Sequence, residues 1–72
     1  MTAPAMVIPV VQQVSNALCS SEDFAELLAC LPDSFFYQGE ETQKSGWMTI
    51  LHLVVHGERD FEKIASAVKG AL

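Results

Sequence analysis

Two histidines, His52 and His56, are four residues apart in the stretch GWMTILHLVVHGERDF. On a helix this spacing stacks both imidazoles on one face, where two ligands of a metal site would stand. Structural zinc needs four protein ligands, and catalytic zinc needs three plus water. No HExxH or CxxC accompanies the pair, and Cys19 and Cys30 are eleven residues apart in other segments. The pair therefore reads first as the polar edge of a structural helix. A pH-sensitive contact is a second reading, because histidine titrates near neutrality. Metal binding through His52 and His56 is a third. The expectation is no cofactor and no metal.

Other chemistry is sparse. Ser20, Ser21, Ser34, Ser45 and Ser66 lie in no recognisable nucleophile motif, and no glycine-rich phosphate loop exists. Glu22, Asp23 and Glu26 suit the positive end of a helix dipole, and Glu40 and Glu41 suit a solvated loop. Cys19 and Cys30 are expected to be small buried hydrophobes. Trp47 reads as a core anchor, with a binding anchor as the alternative. Phe35, Phe36 and Tyr37 divide between a core plug and a contact surface. A chain of 72 residues has little room for a ligand pocket of ordinary size. The expectation is not an enzyme.

Positioning these residues falls to four amphipathic segments. Residues 9–18 place Val10, Val11, Val14, Ala17 and Leu18 on one side, and Pro9 suits a first helical turn. Residues 21–31 carry a stripe of Phe24, Leu27, Leu28 and Leu31. Ser20 followed by Asp23 resembles a capping box, and Pro32 stops the helix. Residues 33–46 read as a short aromatic turn and then a polar loop or frayed helix start. Residues 45–56 form a helix that is apolar nearly all round, with Thr49, His52 and His56 on its narrow polar strip. That pattern predicts a central helix touching several neighbours, capped by Gly57. Residues 60–72 form the last helix, with Asp60 as N-cap and Phe61, Ile64, Ala65, Val68 and Leu72 on its inner face.

Short connections favour antiparallel neighbours. The fold class is therefore all-α, a compact antiparallel bundle of four to five short helices. Residues 1–72 make one domain, with 1–8 either outside the packed fold or extending the first helix. Half of the composition is hydrophobic, which excludes disorder and leaves apolar surface for a partner. No stretch approaches the roughly 20 apolar residues of a membrane span. MTAPAMVIPVV lacks a preceding positive charge and is interrupted by Pro9, unlike a secretory signal. The expected location is cytoplasmic, without membrane association.

Charge is distributed unevenly. Residues 1–43 hold six carboxylates and no Lys or Arg, whereas residues 44–72 hold four cations against three carboxylates. The net charge of −5 disfavours a nucleic-acid partner. Glu22, Asp23 and Glu26 are the candidate acidic face, and Arg59, Lys63 and Lys69 the candidate basic face. Phe35, Phe36 and Tyr37 are candidate apolar contacts.

The order of a leucine-rich helix, FAELLACLP, then W-x-x-I-L from Trp47, then Gly57 and an amphipathic helix with Ile64 and Val68, resembles the effector-associated domains of bacterial conflict and signalling systems. The likeness covers residues 21–72. It implies a death-fold-like adaptor module with no catalytic residues that pairs with a cognate helical domain or with itself. The basic residues common in such families are few here. The function expected is therefore non-catalytic recruitment through complementary acidic and basic faces. The alternative is a small acidic inhibitor or antitoxin-like protein that masks a basic partner.

Overall fold

Local signals fix most of the helix ends. The computed structural model describes residues 7–71. In it, α1 spans Ile8–Leu18, α2 Ser21–Cys30, α3 Asp33–Phe36, α4 Glu40–Val55 and α5 Phe61–Ala71, with no strand among the described residues. Pro9 lies in the first turn of α1, where no intrahelical donor is needed. The Asp23 N–H donates to Ser20 Oγ at 3.2 Å, capping α2. Likewise the Lys63 N–H donates to Asp60 Oδ1 at 3.2 Å, capping α5. At the end of α4, Gly57 adopts φ +93°. The Gly57 N–H donates to the Val54 carbonyl and the Glu58 N–H to that of Leu53, the paired bonds of a Schellman motif.

Four helices form a ring. α1 packs on α2 and α4, and α5 packs on the same two helices. Inside lie Val10, Val14, Leu18, Leu27, Leu31, Ile50, Val54, Phe61, Ile64 and Val68. Their spacing along each helix explains the all-helical bundle, because each face buries what its neighbour would otherwise expose to water. The short α3 turn inserts Phe35, which is fully buried.

Several expectations change. The helix expected over 45–56 begins at Glu40, so of the two readings of the preceding polar stretch the helix start holds, and Glu40 and Glu41 occupy its first turn rather than a solvated loop. The polar residues before Trp47 conceal that start. Nor is α4 central: it holds one corner of the ring, and its outer side leaves Met48 48% and Val55 65% exposed. An apolar arc wider than two neighbours can cover leaves its margins in solvent. Cys19 is exposed and Cys30 half-buried, not both buried. Cys19 follows the last turn of α1 in the left-handed conformation, φ 56°, which turns it out of the core. Leu72 lies outside the described residues.

Candidate functional site

The carboxylates assigned to an acidic face all belong to the first half of α2. Glu22 and Glu26 are exposed and Asp23 is half-buried. They stand where the helix dipole favours negative charge, so local helix chemistry and surface charge coincide. No ion pair to any of the three is present among the described residues.

The cations assigned to a basic face have different roles. Arg59 follows α4, and its Nη1 donates to the Val54 carbonyl at 2.8 Å and to the Glu58 carbonyl at 2.9 Å. Its guanidinium thus closes the C-terminal end of α4, adding a charged donor to a carbonyl that already accepts the Gly57 N–H. Lys63 Nζ lies 3.5 Å from Glu58 Oε2, at the surface. Lys69 is exposed in the last turn of α5 and has no ion pair among the described residues. Glu58 organises this corner. Its Oε1 accepts the Arg59 and Asp60 backbone N–H groups at 3.2 and 3.1 Å. The Asp60 bond is the main reason its carboxyl titrates below the ordinary value. Lys63 and the Arg59 N–H add to the effect, and partial desolvation opposes it.

The aromatic run splits. Phe35 is fully buried and offers no contact surface, which corrects its place among the binding candidates. Its ring centroid lies 5.5 Å from that of Phe36 and 5.7 Å from that of Trp47, so Trp47, itself buried, is a core anchor. Phe36 is half-buried against the core. Tyr37 is 75% exposed and is the member of the run most available to a partner. Three consecutive positions on a helical turn point in different directions, so the three cannot share one face.

Two residues that support this corner escape a reading by residue type. Gln43 is buried, and its Nε2 donates to the Phe36 and Gln38 carbonyls, each at 3.1 Å. It ties the aromatic turn to α4. Gly46 lies against one edge of the Phe35 ring, at Cε1 and Cζ. Extending the Trp47, Ile50 and Val54 stripe backwards by three to four residues reaches both positions, and that was the available signal.

His52 and His56 are exposed on the outer side of α4, with ring centroids 4.3 Å apart. No group of three or more His, Cys, Asp or Glu side chains able to hold a metal ion occurs among the described residues. A surface depression of about 300 Å³ is lined by Glu41, Lys44, Ser45 and Met48. All four belong to α4, so no second element encloses it. No helix among the described residues is long and apolar enough to cross a membrane.

Comparisons with protein families, with characterised proteins and with solved structures return no match. The functional reading therefore rests on the chain's own residues.

Proposed function

We propose that this chain is a non-catalytic recruitment domain that associates with a cognate helical domain, or with a second copy of itself. The observation that carries the proposal is the uncompensated charge of opposite sign on neighbouring helices. Glu22 and Glu26 on α2 and Lys69 on α5 are exposed without ion-pair partners among the described residues. Placed head to tail, α2 of one molecule meets α5 of the next. Such contacts orient the encounter and raise its rate more than they add affinity. The affinity comes from apolar surface, to which Tyr37 is the aromatic contributor. The resemblance of residues 21–72 to effector-associated domains points the same way and gives the domain a place in a bacterial conflict or signalling system.

Arg59 is a poor site for the test, because reversing it also removes the cap of α4. Lys69→Glu and Lys63→Glu are the informative variants. Light scattering across a salt series should show wild-type association weakening as the Debye length falls from about 10 Å at 0.1 M toward about 3 Å at 1 M. Each lysine reversal should weaken association at low salt, and Glu26→Lys should restore part of it. Association indifferent to salt and to these reversals sinks the charge-pairing proposal.

A further inference from the structure

We propose that His52 and His56 form a two-imidazole chelate for a late first-row divalent ion such as Zn²⁺ or Ni²⁺. Both residues project from the final turns of α4 onto its outer side, and both are exposed. Their ring centroids are already 4.3 Å apart, so a small rotation of each ring brings two nitrogens to one ion at about 2.0–2.1 Å. Neither imidazole has a hydrogen-bond or ion-pair partner among the described residues, so no existing contact has to be broken.

The backbone assists. The Schellman closure at Gly57 and Glu58 holds His56 as the C-cap residue of α4 rather than letting the turn fray. Imidazole suits zinc, nickel and copper, and does not suit magnesium or calcium. The two histidines leave the remaining coordination positions open to water. Met48 precedes His52 by one turn on the same side, but eight residues of helix, about 12 Å, separate it from His56. It therefore does not join both rings on one ion.

The exposed thiol of Cys19 is a competing ligand, so the test uses the full chain carrying Cys19→Ser. Zn²⁺ and Ni²⁺ are titrated separately by calorimetry and by melting temperature. The chain has two histidines, so its imidazole proton signals report the site directly under paramagnetic Ni²⁺. The expected result is saturable binding near one ion per chain, a melting temperature that rises with ion concentration, and simultaneous broadening of both imidazole signals. His52→Gln and His56→Gln, each at an exposed position and so compatible with folding, should each abolish saturable binding. Saturable binding that survives either substitution, or that reaches no saturation below millimolar ion, overturns the proposal. So does Ni²⁺ broadening of one imidazole alone.

Discussion

Gly46→Ala is the sharpest test of how the aromatic turn is seated. A Cβ at Gly46 would lie 2.4 Å from Phe35 Cε1 and 2.9 Å from Cζ. Carbon atoms in contact prefer about 3.5–4.0 Å, so the ring must withdraw by roughly 1 Å. Phe35 is fully buried, with Phe36 and Trp47 beside it. Two effects oppose each other. Alanine in a helix interior is favoured over glycine by about 1 kcal/mol. Forcing a methyl into a filled core costs about 1–3 kcal/mol, and expelling the ring altogether would forfeit about 3–5 kcal/mol. The rigid ring cannot bend away as a methionine would, so the steric cost wins. The expected net loss is about 1–2 kcal/mol, obtained by setting the upper part of the overpacking range against the propensity gain.

That loss is large for this chain. At about 0.05–0.15 kcal/mol per residue, a domain of this length has little stability to spare. Each kcal/mol shifts the midpoint of a small domain by about 4–8 °C, so the melting temperature should fall by about 5–15 °C. Urea titration followed by circular dichroism should show a lower midpoint with an unchanged slope. In a Phe35→Leu background the smaller side chain leaves room for the methyl, so the Gly46→Ala penalty should shrink markedly, a coupling of the kind neighbouring residues show. A Gly46→Ala protein that melts at or above the wild type would mean that propensity governs this position, and the packing of Phe35 on Gly46 would have to be abandoned.

Gln43→Ala removes both hydrogen bonds to the aromatic turn, which are part-buried, and losing them should cost about 1–2 kcal/mol; urea midpoints should fall accordingly, and no change would refute the tether. Gly57→Ala places a Cβ on a residue at φ +93° and should cost about 1–2 kcal/mol by the same measurement, an unchanged midpoint counting against the Schellman closure. Glu58 titrates below its ordinary 4.5, first through the Asp60 N–H, so its contribution is complete above that value and is lost as pH falls through the lowered folded value. Wild type should therefore melt above Glu58→Gln at neutral pH, with the gap closing in acid, and a gap independent of pH would remove the role assigned to this carboxylate.

The stripes that carry the fold were legible because each repeats at helical spacing and ends on a residue with one structural use. Ser20, Pro32, Gly57 and Asp60 stand at helix boundaries in the structure. The start of α4 was hidden for the opposite reason. Residues 40–45 are polar, and the buried member of that turn is a glutamine. Its burial depends on two carbonyls presented by a different segment, and no property of residues 40–45 alone reveals them. The position of α4 was missed through a related step. A wide apolar arc predicts neighbours on every side, but in a bundle this small each of the four long helices meets two main neighbours. Surplus apolar surface such as Val55 then remains outside.

The same distinction decides which charges can serve association. A cation counted from the sequence is one charge, whether it faces solvent or closes a helix. Arg59 is engaged by two carbonyls of its own chain, and a partner carboxylate would have to approach its remaining donors without disturbing that cap. Lys63 shares its charge with Glu58 across a solvated, salt-screened pair, so a partner can displace it at small cost. Lys69 has neither constraint. The three cations of the proposed basic face are therefore graded from structural Arg59, through exchangeable Lys63, to Lys69, which has no ion pair among the described residues. Reversal of Lys69 should then alter association with little effect on melting, whereas reversal of Arg59 should alter melting first. If the two variants shift both properties in the same proportion, the grading is wrong and the cap at Arg59 does not constrain its charge.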